Sequence, residues 1–442
     1  MNRRILAFAI PLLFAALPAA GEDLMDIYRE AQRNDPVIAA AKAAWEATQE
    51  RAPIARSALL PSVQLSAGAN ANNYDATVKS DPRDDVNRSY TGANAIISAS
   101  QPLFRYQNWV AYEQAKEQVT QADFTLGIAQ QDLIVRVADA YFAVLLAQFN
   151  IELTESQKKA VQEQLAQAKR NFEVGVATIT DTNEAQAKYD AIVAQEIAVR
   201  NELDNRLTFL RAIIGRPPKD LKKVRQGFVP KPPEPGNLDY WVNRAIEENL
   251  SVRFAKANYD IATLEVARAK AGHYPTLDLT GSYNIQGSRD LVSSAVSSDS
   301  RSGSIGLQLA VPIYLGGLVD ARVREALALQ ERARQDLETA RRTALFQGQT
   351  GFSGVNSSVA SVKAFEQAVL SAESALASNV LGQEVGIRTF LDVLTVQQNV
   401  YTARRDLAQS YFTYIVNTLR LRQAVGTLTE QDLEDINRQL RD

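Results

Sequence analysis

Residues 171–181 read NFEVGVATITD, and residues 382–392 read GQEVGIRTFLD. Val174-Gly175 is answered by Val385-Gly386 and Asp181 by Asp392. Further on, Leu210-Arg211 is answered by Leu421-Arg422 and Gly215 by Gly426, every pair 211 residues apart. Upstream, Pro102 in SQPLF answers Pro312 in AVPIY at a spacing of 210, and Pro61 in LLPSVQLSAG answers Pro275 in HYPTLDLTGS at 214. A fixed offset of this kind marks two copies of one structural unit. The copies span 22–215 and 238–426, joined by a Pro-rich, extended link over 216–237 and followed by a tail over 427–442.

Each copy begins with an Ala-rich helical pattern, Leu24 to Leu59 with kinks at Pro36 and Pro53, and Leu238 to Ala271. Both stop just before a proline, where the chain is pushed into an extended conformation. Strands follow. Val63, Leu65, Ala67, Ala69 and Ala71 alternate with polar or small residues, as do Ala93, Ala95, Ile97 and Ala99 in the partner strand. In the second copy the apolar sets are Leu277, Leu279, Tyr283 and Ile285, then Ile305, Leu307, Leu309 and Val311. Four strands of about ten residues with period-two alternation fit outer-membrane strands with one face to lipid. The same pattern also fits half-buried strands of a soluble sheet. Polar loops over 73–90 and 287–303 separate the members of each pair and carry most of the register difference.

The longest element comes next. Ala115, Val119, Ala122, Leu126, Ala129, Leu133, Val137 and Ala140 begin a stripe at steps of three and four that continues to Phe172. It predicts one helix from about Arg105 to Glu173, on the order of 100 Å long. Its copy runs from Leu318 to Gln383, where Gly348, Gly351 and Gly354 weaken the helix by about 1 kcal/mol each relative to alanine and predict an irregularity. Gly175 and Gly386 fit left-handed helix ends, and shorter helices, Thr182 to Ile214 and Asp392 to Val425, return the chain.

The N-terminus supplies an address. Asn2-Arg3-Arg4, an apolar run from Ile5 to Leu17 and the small residues Ala19-Ala20-Gly21 predict a secretory signal over 1–21. Beyond it no apolar run suits a membrane-spanning helix, so membrane passage must use strands. The chain has no cysteine, which excludes disulfides and thiolate metal sites. With 48 basic and 51 acidic residues it shows no nucleic-acid footprint. His273 is the only histidine, so no Ser-His-Asp or Cys-His set can be assembled around it, and it reads as an interfacial ring. Scattered Asp and Glu read mostly as solvated helix faces. The GQTGFSG glycines do not follow a strand and open a helix, as a phosphate cradle requires. The chain reads as no enzyme, with no cofactor and no metal.

Four strands cannot close a barrel, and an open edge is not tolerated in lipid. Neighbouring copies must complete the sheet, and counting alone permits a dimer, trimer or tetramer.

The order helix, two strands, long helix, turn, short helix, with the tip segments VGVATITD and VGIRTFLDVL and the closing AVGTLTEQDL, resembles the TolC family of outer-membrane efflux and secretion channels over the whole predicted mature chain. The resemblance implies a mixed α/β membrane protein: a homotrimer with a shared 12-stranded barrel in outer-membrane lipid, continued into the periplasm by an α-helical barrel. The link and tail would lie in an equatorial belt. It implies a partner at the tips Gly175 and Gly386, a periplasmic adaptor (a membrane fusion protein) joined to an inner-membrane transporter. At the pore constriction it places Asp392, with Thr395 where the family carries a second acid. At the entrance gate it pairs Arg388 with the segment Thr180-Asp181, as a latch to Asp181. Asp392 also reads simply as the acidic start of a returning helix. Two rival readings fit less well. A soluble periplasmic coiled-coil scaffold or adaptor has no use for four lipid-compatible strands. A secreted enzyme acting through carboxylates needs a pocketed domain that the duplication leaves no room for.

Overall fold

The computed structural model describes residues 21–76, 86–223, 228–290 and 298–438. The predicted signal, except Gly21, and the central parts of the two polar loops lie outside the described residues.

The first copy opens with α1 (Leu24–Asn34), α2 (Pro36–Gln49) and α3 (Arg51–Ser57) rather than one kinked helix. Asp35 makes the first break: its backbone closes α1, and its side chain accepts from Val37 N at 3.0 Å to start α2 with Pro36 in the first turn. The second copy is likewise divided, into α6 (Leu238–Glu248) and α7 (Leu250–Lys270), where the sequence suggested a single helix. Its break is Asn249, which stands 214 residues from Asp35. Asn249 Oδ1 accepts from Ser251 N and Val252 N, while its amide nitrogen donates to Ala424 O at 2.7 Å. A short side-chain acceptor at this position competes for the backbone and caps a new helix in both copies.

Strands β1 (Ser62–Ala76), β2 (Val86–Phe104), β3 (Thr276–Asp290) and β4 (Ser298–Ala310) form one antiparallel sheet in sequential order. The central seam, β2 to β3, joins the two copies. It is clasped at its helical end by Arg105, whose Nε and Nη2 reach the two oxygens of Asp278 at 2.8 and 2.6 Å. β1 and β4 are both open edges.

The long helices are α4 (Tyr106–Glu173) and α8 (Leu318–Glu384). α5 (Ile179–Ile214) and α9 (Phe390–Ala424) return from them. Near the sheet α4 packs against α2, α3 and α7, and α7 packs against α8; towards the turns α4 packs against α5, and α8 against α9. Most of the predicted stripe is buried, including Ala115, Leu133, Val137, Ala140, Val144, Val161, Leu165 and Ala168, although its last member, Phe172, is 44 % exposed. α4 does hold one 18-residue window apolar enough to cross a membrane, contrary to the sequence expectation. More than half of that window is buried in the protein core, so it serves packing rather than lipid contact.

α8 runs unbroken through its three glycines, which corrects the expected irregularity. A Cβ on Gly348 would lie 3.0 Å from Ala245 Cβ and 3.4 Å from Trp241 O, and one on Gly351 3.1 Å from a Leu421 methyl. The glycines let α6 and α9 approach closely, and that packing offsets their poor helix propensity.

At mid-length α1, α6, α10 (Glu430–Arg438) and the ends of α5 and α9 gather around α4 and α8. Tyr28, Tyr141, Phe142, Leu210, Leu419 and Leu433 are fully buried there. Tyr141 donates to Lys222 O at 2.8 Å, and Tyr414 donates to Lys231 O at 2.9 Å. Trp241 Nε1 donates to Pro235 O. Three aromatic donors thus bind the proline-rich link to the helices.

Candidate site at the two helical turns

The two hairpin turns have one backbone geometry. Gly175 and Gly386 adopt φ of +81° and +80°, the left-handed region that other residues enter only at a cost. Val176 N and Ala177 N both donate to Asn171 O, at 2.9 and 3.2 Å; Ile387 N and Arg388 N both donate to Gly382 O, at 2.9 and 3.1 Å. Each return helix then opens with a reciprocal cap. Thr178 N and Oγ1 donate to Asp181 Oδ2 at 2.9 and 2.8 Å, and Asp181 N donates back to Thr178 Oγ1. Thr389 N donates to Asp392 Oδ2 at 2.9 Å, and Asp392 N donates to Thr389 Oγ1 at 3.1 Å. Such a box satisfies donors that a helix start otherwise leaves open.

The side chains differ. Asn171 and Ala177 of the first turn correspond to Gly382 and Arg388 of the second. A Cβ on Gly382 would fall 2.7 Å from Arg388 Cγ and 3.4 Å from its Cβ. The missing side chain is therefore the seat over which the arginine stem lies. Between the hairpins, Phe390 and Leu394 of α9 pack against Val161 and Ile192, with Tyr189 beside them. Both turn crests carry exposed branched side chains at matching positions: Val174 and Val385, and Val176 (74 % exposed) with Ile387 (78 %).

Every residue picked out for the entrance sits on or beside these turns. Thr180 is exposed in the first turn of α5, and Thr395 bonds back to Leu391 O within α9. Within one chain no ion pair joins Arg388 to Asp181 among the described residues; both side-chain contacts of Asp181 are to Thr178. The Asp392 carboxyl is held below the ordinary carboxylate value first by the Thr389 backbone N–H, then by the Thr389 hydroxyl, with Arg388 nearby adding to it.

Sequence reasoning missed the buried charge behind the turns. Glu196 was grouped with solvated faces, yet it is buried between Lys158 Nζ at 2.6 Å and Arg200 Nη2 at 2.7 Å. Gln157 of α4 bonds Gln398 of α9 across the hairpins. Lys158 lies on the apolar stripe, and that misplaced charge is the one signal that could have revealed Glu196. His273 Nε2 lies 3.4 Å from Asp320 at the surface.

Residues 27–216 and 241–427 both match the model of the outer membrane efflux protein family. The chain is 36 % identical to the outer membrane protein TolC of Vibrio cholerae, covering 98 % of each chain. It is 32 % identical to the alkaline protease secretion protein AprF of Pseudomonas aeruginosa, covering 97 % of this chain and 89 % of that one. Among solved structures, the CmeC outer membrane channel of Campylobacter jejuni superposes with a TM-score of 0.79 at 16 % identity, covering all of this chain and 98 % of that one.

Proposed function

This chain belongs to the outer membrane efflux protein family, and from that premise we propose that three copies close a 12-stranded barrel and a helical tunnel that passes cargo outward from an inner-membrane transporter. The protein is an outer-membrane channel reaching into the periplasm, a conduit and not an enzyme. Its relatives are named both for the outer membrane and for protease secretion, so efflux and one-step protein secretion are both within the reach of this body.

The observation that carries assembly from several copies is the four-stranded sheet with two open edges and apolar side chains exposed along β1 and β4, and the number three is taken from the family. Lipid does not tolerate unpaired backbone groups, and closed barrels need at least eight strands. The bare valines and isoleucine on the turn crests suit an adaptor seated on Gly175 and Gly386, since clustered exposed apolar groups mark partner surfaces. Arg388, seated on Gly382, would reach Asp181 of the neighbouring hairpin as a latch. Three Asp392 carboxylates would converge on the axis, where their repulsion favours cations and works against the cap that lowers their proton affinity. Thr395 leaves this as a single acidic ring.

Purified protein in detergent should have the mass of three chains and should conduct ions in a planar bilayer. A monodisperse monomer in detergent-free buffer would overturn the reading.

A further inference from the structure

The four strands keep one parity throughout. Leu65 pairs with Ile97, Ile97 with Tyr283, and Leu279 with Leu307, so the odd-numbered, mostly apolar residues of all four share one face of the sheet. In a barrel closed in the membrane that face meets lipid. Away from the helices, it stays apolar as far as Ile285 on β3 and Ile305 on β4. Then it becomes charged. Arg301 stands directly opposite Ile285, Asp299 stands opposite Gly287, and Arg289 lies two residues beyond Gly287 on the same face. All three are exposed, and among the described residues none of them has an ion pair.

Strand geometry gives the depth of this cluster. Ten residues separate Arg301 from Val311, just past the end of β4. At about 3.4 Å per residue and a tilt of about 40° they rise about 26 Å, which matches an apolar band about 25 Å tall. Arg301 therefore sits at the outward rim of the band when Val311 sits at the inner one. Arg289, four residues beyond Ile285, is about 10 Å higher, with a side chain long enough to reach back to the head groups. Exposed rings mark the inner rim independently: Trp109 and Tyr314 are 55 % and 82 % exposed where sheet meets helix, and such rings gather at membrane interfaces.

The first hairpin has no such cluster. By the offsets of 214 and 210, Arg289 answers Asp75, Arg301 answers Thr91, and Asp299 answers Ser89. This level of the fold therefore needs no arginine. A lipid-facing arginine is costly at the membrane centre and nearly free at its edge, which permits the pair at this height without explaining it. We propose that Arg289 and Arg301 bind anionic, phosphate-bearing lipid head groups of the outward leaflet, one site per chain. The inference rests on the outer-membrane location and on no particular number of copies. Guanidinium forks suit phosphate oxygens. Below them Tyr283 lies against Gly303, its Cδ2 3.5 Å from where a Cβ would stand, and offers acyl chains a flat apolar wall. Asp299 leans across Gly287, with Oδ1 3.1 Å from a Cβ position there. It is the one charge in the cluster that repels an anion.

Native mass spectrometry of the full-length protein, released from nonionic detergent containing equal amounts of phosphatidylglycerol and zwitterionic phosphatidylcholine, tests the site. The wild type should retain phosphatidylglycerol in preference. Arg289→Gln/Arg301→Gln should lower that preference by about fivefold per arginine. Arg289→Lys/Arg301→Lys should fall between the two, and Asp299→Asn should exceed the wild type; these variants carry the test if the glutamine pair fails to assemble. Arg341→Gln/Arg342→Gln on α8 removes the same charge far from the sheet and should change nothing. Equal preference in the wild type and the glutamine pair would overturn the site. So would an equal loss in the α8 variant, which would reduce the effect to net charge. If inorganic phosphate alone strips the phosphatidylglycerol, the arginines hold a free anion and the lipid site is overturned. Conductance in planar bilayers, unchanged in every variant, keeps the channel reading separate from this result.

Discussion

The turn at Gly175 and the turn at Gly386 share every backbone hydrogen bond and a matching threonine–aspartate cap, yet only the second carries an arginine, seated where a side chain is missing. The shared part is what reversing a long helix requires: a left-handed residue and a capped restart. The unshared part, Arg388 over Gly382 against Ala177 beside Asn171, answers no requirement of the reversal. The two turns should therefore behave alike in stability and unlike in gating.

The largest expected difference is in gating. Replacing Arg388 with serine would remove the three proposed latches, together about 0 to 3 kcal/mol for exposed pairs and so up to roughly a hundredfold in open population. Single-channel conductance in planar bilayers should rise. Ala177→Ser, at the matching place on the other turn, should leave conductance unchanged; equal effects at both turns would end the distinction. Gly382→Ala sharpens it further. The added methyl would displace the arginine stem, so conductance should fall between the wild type and the serine variant, while Asn171→Ala should have no effect.

Stability tests should show the opposite symmetry. Gly175→Ala and Gly386→Ala each force a non-glycine residue to φ near +80°, about 1–2 kcal/mol, with no atom within 4 Å to clash with the new methyl. Hydrogen exchange at Val176 and Ile387 should accelerate to the same degree. Thr178→Ala and Thr389→Ala each remove a cap worth about 1 kcal/mol, read as fraying of the first turns of α5 and α9. Unequal losses would mean that packing around the turns, and not the reversal itself, sets their stability.

These turns were legible in the sequence because their chemistry is local. A glycine at a helix end and an aspartate at the start of a returning helix keep one meaning wherever they occur, and the 211-residue offset allowed each reading to be checked against its copy; the capping threonines Thr178 and Thr389 lie ahead of the helix starts expected at Thr182 and Asp392 and are added by the structure. The strands and long helices were legible from periodicity. What stayed hidden depends on a distant partner. Gly348 and Gly351 looked like weak points of a helix, and only the approach of Trp241 and Leu421 turns them into contacts. Glu196 and Asp278 looked like solvated charges until Lys158 and Arg105 were found against them. Asn249 carried a readable signal, its 214-residue offset from Asp35, but with no proline beside it the break in the helix was not anticipated.

The smallest effect separates the two roles of Asp392. Its cap lowers the carboxyl below the ordinary value of 3.8, mainly through the Thr389 backbone N–H. A group whose folded value is depressed contributes stability that is complete above its unfolded value and is lost as pH falls through the folded one. Capping alone therefore keeps the Thr389 amide protected from exchange down to 3.8 and somewhat below. A ring of three carboxylates pushes the other way, raising the value wherever the closed entrance brings them together. Opening the entrance with Arg388→Ser disperses the ring, and it also removes the small attraction of the arginine itself, which by its sign would move titration upward. Protection in the wild-type channel should consequently be lost at a higher pH than in the serine variant, with Asp392→Asn insensitive to acid in both backgrounds. If wild type and variant lose protection at the same pH, or the variant loses it first, Asp392 acts only as the start of a helix, and the two turns differ by the arginine and its glycine seat alone.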